Sequence, residues 1–590
     1  MTSSIGDYAA IGDGRTVALV DRDGSVDWLC LPDLDSPSTF GALLDPDHGG
    51  RFRLEPEGPY EAERRYVPST NVLETVFRTR DGAVRVVDAL TLPGTGIAPL
   101  RELVRSVEGL AGRVPMAWNV EPGFGYGGQT TTLGWRGDVP VATGGAMALA
   151  LSCWDAGRPQ LGDGRIHGRM SIGQGQQAGL ALAIADREPL VLSTRRDAER
   201  RLVSTIAFWQ QWSEHRRYEG PWRDAVLRSA LVLKLLIFSP SGALAAAPTT
   251  SLPEDVGGER NWDYRFCWVR DATFTLTALL RLGCLDEADA FFWWLMHASQ
   301  LTRPRLQVLY RLDGGAHARE RTLPLPGYRD SRPVRVGNGA VDQLQLDVYG
   351  DLFETVWRYA GHGALDHDVA TRLSQTANLV CREWRRRDAG LWEVRAEPEH
   401  FTQSKMMCWV ALDRAARLAD AGQIPARHAP RWRREARAIR DFVEQRCWSE
   451  ADQTYLRSSD GGGVDAGLLL GVLFGYHAPD DPRLATTIDA VRRELADGPL
   501  LYRYRDDDGL SGTEGAFLAC SFWLVEALAR VGRLREASAL MDELMGFSND
   551  VGLYSEEFQP TTGELVGNFP QALTHLALVS AALALGRSPS

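Results

Sequence analysis

The sequence predicts a β domain followed by an all-helical one: an N-terminal antiparallel β-sandwich over residues 1–197, a helical linker at 198–220, and a six-fold α/α barrel over 221–590. Three observations predict it. Apolar and polar residues alternate through the first third of the chain, the period lengthens to that of a helix near Ala198, and about a dozen helical patterns follow with no strand pattern between them.

The hairpins come first. In TVALVDRDGSVDWLCL, Asp23-Gly24 sits between two short apolar runs, and ETVFRTRDGAVRVVDALTL repeats the device at Asp81-Gly82. Asp-Gly suits a two-residue hairpin turn because such turns need positive φ. The segments MALALSCW and GLALAIA supply further strands, separated by glycine-rich turns, and together these read as a sandwich. AERRLVSTIAFWQQWSEHRR then reads as the helix that carries the chain out of it.

Beyond Pro221 the apolar recurrence at three and four marks helices near 222–237, 271–281, 285–299, 342–360, 365–386, 402–420, 428–446, 464–474, 483–496, 514–531, 533–546 and 569–585. Leu344, Val348, Leu352 and Val356 form one clear stripe, and the last helix has Asn568 and Pro570 at its start and Gly586 at its end. Helices in such a series suit a closed ring of six pairs, and an open solenoid would show the same count. The connections favour the ring. They are very unequal, and the long ones at 239–270, 300–341, 387–401 and 547–568 hold most of the unusual residues, as expected of a rigid scaffold decorated at one mouth.

Composition narrows the function classes. A chain of 590 residues with 44% apolar and 24% charged side chains can bury a large core. A net charge of -12, with Lys234 and Lys405 the only lysines and no basic stripe, argues against a nucleic-acid partner. Eight cysteines without a CxxC pair read as reduced thiols, with Cys267 a small core residue, and eleven histidines show no metal-binding spacing, so no metal or cofactor is expected. The N-terminus lacks the basic and apolar regions of a signal peptide, and no apolar run approaches the roughly 18 residues of a membrane span. The expectation is a cytoplasmic protein without a membrane partner, a homo-oligomer being allowed.

NWDYRFCWVRD, residues 261–271, concentrates four aromatics, two arginines and two aspartates just before an apolar helix. A sugar presents apolar C–H faces and a rim of hydroxyls, so its pocket needs aromatic walls and a few charged partners. Trp262, Tyr264, Phe266 and Trp268 are candidate walls, and Arg270 and Asp271 candidate grips. The plainer reading makes Asp271 a helix cap and the aromatics an inner wall. Glu393 follows Trp392 in a loop, and Glu556 and Glu557 stand together before the final helix. Two carboxyl groups, one kept protonated and one ionised, are what an inverting glycosidase needs, and burial beside an aromatic ring raises a carboxyl pKa.

Four blocks carry a family resemblance: IGDYAAIGDGRTVALVDRDGSVDWLCLPDLDSPSTFGALL at 5–44, NWDYRFCWVRDA at 261–272, GLWEVR at 390–395 and YSEEFQPTTGELVGNFPQALTH at 554–575. The chain resembles glycoside hydrolase family 15, the glucoamylases and their bacterial and archaeal relatives. The resemblance implies a β-sandwich on a six-fold α/α barrel and inverting hydrolysis of α-glucosides from the non-reducing end. It also implies Glu393 as general acid, Glu556 as general base with Glu557 as fallback, Tyr264 positioning the water, Arg270 and Asp271 holding the terminal glucose, and Trp268 and Trp392 as walls. Val394 departs from the fungal members, which carry a second acid there. Glu514, Asn338, Gln343 and Gln345 resemble further pocket positions.

The expected partner is therefore a small α-glucoside, a maltooligosaccharide or isomaltose, with trehalose as the alternative within the family. Val394 and the loop 300–341 bear on that choice, because trehalose differs on the leaving side alone. A phosphorylase would lack the base glutamate and carry an anion cradle of basic groups, and a non-catalytic sugar-binding protein would need neither carboxylate.

Overall fold

The computed structural model describes residues 3–92, 100–505, 512 and 514–586. The ends of both expected domains, 1–2 and 587–590, lie outside them.

Two antiparallel sheets share one strand. Arg101–Pro122 is 22 residues long; its first half pairs with Gly82–Leu90 and Gln177–Asp186, and its second half with Gly50–Pro56 and Arg165–Gly173. The passage from one sheet to the other occurs near Gly112, whose φ is +61° and where a Cβ would lie 2.0 Å from the Asp81 carbonyl oxygen. A register slip at Ala83/Val84 on the neighbouring strand marks the same place, as a bulge does where a sheet must bend. Both Asp-Gly hairpins form: Val17–Val20 pairs with Val26–Cys30, and Leu73–Thr79 with Gly82–Leu90.

The connecting helix spans Arg195–Glu214, not 198–220, because the Thr194 hydroxyl accepts a hydrogen bond from the Asp197 amide and starts the helix early. Ala198, Leu202 and Trp209 pack it onto Val104 and Ala181 of the sheet.

Among the described residues twelve helices follow in two layers. Ala272–Leu282, Val348–Tyr359, Thr402–Asp420, the short pair Ala466–Leu469 and Leu470–Leu473, Leu518–Arg530 and Ala572–Leu585 each pack on the next, and the last packs on the first. That contact closes the ring and excludes the open solenoid. The inner helices are buried nearly all round, and Ala572–Leu585 is apolar nearly all round as well, whereas the outer helix Ala429–Arg446 buries one stripe of Ala429, Trp432, Ala436, Ile439 and Val443.

Three expected boundaries move. The helix anticipated from 342 begins at Val348, because the backbone at 344–346 is tied to the neighbouring loop through Ala389 N–H to Leu344 O and Leu346 N–H to Asp388. The one anticipated from 514 begins at Leu518, since Ala516–Phe517 pairs with Glu557–Phe558. The last begins at Ala572; Asn568 bonds Thr249 and the Trp262 carbonyl instead of capping it, and Gly586 keeps φ at -74°.

Turns from inner to outer helices are short, as from 282 to 285 and from 530 to 534, while the connections into each inner helix are long. The N-terminal ends of the inner helices, with their unpaired N–H groups and positive dipole ends, therefore ring one mouth. The sandwich docks beside that mouth: the Trp28 indole donates to the Pro248 carbonyl at 2.8 Å, and Arg265 to the Ser36 carbonyl at 2.7 Å. Among the described residues no helix is long and apolar enough to cross a membrane.

Candidate active site

The stretch 261–271 divides by residue parity. Asn261–Asp263 and Cys267–Trp268 are extended, so neighbouring side chains point to opposite sides. Asp263 and Arg265 pair at 2.7 Å and face the sandwich. Trp262, Tyr264 and Arg270 face the other way and line a cavity in the mouth. The mixture of aromatics and charge thus serves two surfaces at once. Asp271 sits at the N-cap position but makes no capping bond; its carboxylate takes the Arg270 Nε–H at 3.0 Å.

Trp392, Glu393 and Glu514 complete the expected lining, and the space between the walls, counted out to solvent at the mouth, is about 710 Å³. Asn338 and Gln343 also line it. Gln345, buried behind, donates to the Gln343 side chain at 3.0 Å, and Gln343 in turn donates to the Glu393 carbonyl at 3.0 Å. Trp268, Asp271, Glu556 and Glu557 stand one side chain behind the open space.

Glu393 is held in a conformation its residue type disfavours. Its φ is +58°, left-handed for a residue with a Cβ, a strain that concentrates where geometry matters more than stability. Its Oε1 accepts from the Trp268 indole at 2.6 Å and lies 3.5 Å from Arg270 Nη1, which also donates to the Leu391 carbonyl at 3.2 Å. Burial raises its pKa, and Arg270 and Trp268 restrain that rise by favouring the charged form.

Glu556 is fully buried beside Gly567. A Cβ at Gly567 would come within 2.7 Å of the Glu556 side chain, and its own φ of +76° favours glycine, so the position keeps room for this carboxylate. Its Oε2 lies 3.4 Å from the Asn568 amide, and its Oε1 takes no hydrogen bond of normal length from the described residues. Burial pushes Glu556 up to about 6, against the pull of Arg503, then of the Tyr264 hydroxyl and the Asn568 amide. The Tyr264 phenol is driven far above its usual value by burial first and then by the negative charges of Glu556, Glu254 and Glu393.

The sequence reading overlooked Glu254, Arg260, Arg395, Arg503 and Tyr504, all of which line the same cavity. Arg503 reaches Glu254 at 3.0 Å, Glu514 at 2.8 Å and Glu557 at 3.3 Å. Glu514 also accepts from Arg260 at 2.5 Å and Tyr504 at 3.2 Å, and Glu557 from the Gly515 amide at 2.9 Å. Burial pushes Glu254 up to about 8 in spite of Arg503, and it lifts Glu557 well above the carboxylate range, with Glu254 adding to the effect. The alternation Tyr502-Arg503-Tyr504-Arg505 was the signal available for Arg503. Glu254 stands in the long connection 239–270 but outside its aromatic motif, with no such signal. Among the described residues no group of three or more His, Cys, Asp or Glu is arranged to hold a metal ion.

A closed helical ring whose mouth holds buried glutamates among tryptophans and arginines defines a carbohydrate-active enzyme. The comparisons make it specific. Residues 220–583 match the model of glycosyl hydrolases family 15, and residues 2–151 match that of a trehalase-like N-terminal domain. The chain is 39% identical to a trehalase of Mycolicibacterium smegmatis, over 98% of this chain and 90% of that one, and 33% identical to a trehalase of Thermoplasma volcanium, over 98% and 92%. A bacterial glucoamylase solved with acarbose superposes with a TM-score of 0.71 over 99% of this chain and 93% of that one; at 12% identity it speaks for the fold alone. The chain belongs to glycoside hydrolase family 15, which cleaves α-glucosidic bonds with inversion.

Proposed function

We propose that this enzyme hydrolyses α,α-trehalose, with Glu393 as general acid and Glu556 as general base. The observation that carries the substrate is the full-length likeness to chains named trehalase, which spans the sandwich as well as the barrel. It favours trehalose over the maltooligosaccharides or isomaltose that the catalytic motifs alone suggested. What supports the two roles is the pair of buried carboxyl groups flanking Tyr264, both raised above their ordinary range.

In this mechanism Arg270 and Asp271 fix the outer hydroxyls of one glucose at the closed end. Glu393 gives its proton to the bridging oxygen as the C1–O bond breaks, and a water held by Tyr264 attacks C1 from the opposite face while Glu556 takes its proton. An oxygen of water replaces the leaving sugar, so one glucose leaves as the β-anomer and the other keeps its α configuration. An inverting pair of this kind is spaced roughly 6.5–9.5 Å apart to admit the water.

The test is glucose release from trehalose, maltose, isomaltose and maltotriose in parallel by purified enzyme. Trehalose is expected to give the highest kcat/KM by at least an order of magnitude. A higher value for any of the other three would replace the substrate assigned here while leaving the family intact.

A further inference from the structure

Arg395 stands two residues beyond Glu393 and lines the mouth of the cavity. Its side chain is 39% exposed, whereas that of Arg270 is 15% and that of Glu393 20%. The three therefore mark a gradient from the closed end to solvent. In a dead-end pocket the sugar that is attacked occupies the closed end and the sugar that departs occupies the mouth. The backbone turns at the left-handed Glu393, and Arg395 lines the same cavity as that carboxyl group.

The guanidinium of Arg395 is built into its place. Its carbon lies 4.4 Å from the centroid of the Trp262 ring, and Nη2 donates to Glu320 Oε2 at 2.9 Å. A second guanidinium, that of Arg335, lies 4.5 Å from the same ring and 3.5 Å from the other oxygen of Glu320. Glu320 is itself fixed by the Gly339 amide at 3.1 Å, and Trp262 by its indole bond to Glu254 at 3.0 Å. Among the described residues Glu320 is the one hydrogen-bond acceptor of Arg395. The fork therefore keeps N–H groups free to meet hydroxyls. The side chain of Val394, in the adjoining wall, offers no hydrogen bond.

The geometry points to Arg395, set by Glu320 and the face of Trp262, as the residue that binds the departing sugar and selects a disaccharide over a glucoside whose leaving group has no hydroxyls. This rests on the trehalose reading for the identity of that sugar. Glu320 is a positioning residue: it aims Arg395 and does not itself reach the cavity.

The experiment compares kcat/KM for trehalose with that for α-glucosyl fluoride, whose leaving group is a bare ion, in the wild type and in Arg395→Ala, Arg395→Lys and Glu320→Gln. The ratio of trehalose to fluoride is expected to fall roughly ten- to hundredfold in Arg395→Ala, the scale of a lost hydrogen bond to a charged donor. The fall is smaller in Arg395→Lys, which keeps the charge without the fork, and in Glu320→Gln. An equal loss on both substrates, or no change in the ratio, would overturn the assignment. If the wild type cleaves maltose or isomaltose in place of trehalose, the substrate reading fails while the same ratio, taken with that disaccharide, still decides the role of Arg395.

Discussion

The molecule buries an arginine among carboxylates in two places, and the two are built on opposite principles. In the sandwich, Arg105 and Asp88 are 0% and 1% exposed and matched one to one, with Nε–Oδ1 and Nη2–Oδ2 distances of 2.8 and 3.1 Å. Two more N–H groups go to the carbonyls of Phe52 and Gly24 at 3.0 and 2.7 Å. Charge cancels, and four of the five guanidinium N–H groups are bonded. At the barrel mouth Arg503 is shared among Glu254, Glu514 and Glu557, with Glu556 beside them, and Arg260 adds the second positive charge. Burial, with the excess of negative charge adding to it, keeps Glu254 and Glu557 protonated at pH values where an ordinary glutamate has lost its proton. A balanced pair holds a fold together; an unbalanced cluster stores protons where chemistry needs them.

The largest expected effect breaks the balanced site. Arg105→Met leaves Asp88 buried and unpaired, and chemical denaturation is expected to show a loss of about 3–5 kcal/mol with the turnover of the remaining folded enzyme unchanged. A loss below about 1 kcal/mol would mean the sandwich relaxes around the charge, and the contrast between the two sites would weaken.

Next in size is the chemistry itself. Glu393→Gln and Glu556→Gln are each expected to lower kcat by about a hundredfold or more, equivalent to about 2.7 kcal/mol, while thermal unfolding stays close to wild type. Retention of near-wild-type turnover in both would remove the roles assigned here.

The smallest effect sharpens the comparison most. The base works ionised, so the rate should rise with pH through about 6, the value to which burial pushes Glu556. It should fall again at higher pH as Glu393, raised by burial, gives up the proton it needs as an acid. Arg503 is the strongest influence holding the Glu556 value down. Arg503→Met therefore moves the rising limb to higher pH, and each unit of movement lowers the rate below that limb about tenfold. Arg105→Met, measured alongside, leaves the limb where it is. An unmoved limb in Arg503→Met would show that the shared arginine does not set the base.

The fold was legible because its signals are local and repeated. The Asp-Gly turns fixed two hairpins, and apolar recurrence placed all twelve barrel helices, most ends within a few residues. The long strand shared by both sheets was not legible, since its two halves differ in their partners and not in their pattern. Of the site, the residues in dense aromatic motifs stood out: Trp262, Tyr264, Arg270, Trp392, Glu393 and Glu514 line the cavity, and Glu556 backs it. Glu254 and Glu320 did not stand out, because a lone charged residue looks like solvated surface until the ring closes and brings distant loops together. Arg395 and Arg503, though one ends the GLWEVR block and the other sits in a Tyr-Arg alternation, carried no sign of what they face. Gly567 tells the same story, its role being to make room for a carboxylate eleven residues earlier.

Inverting hydrolysis of trehalose is tested most directly by proton NMR of the first minutes of reaction, before mutarotation mixes the anomers. The account predicts α- and β-glucose appearing together at equal rates, and α-glucose alone would contradict it.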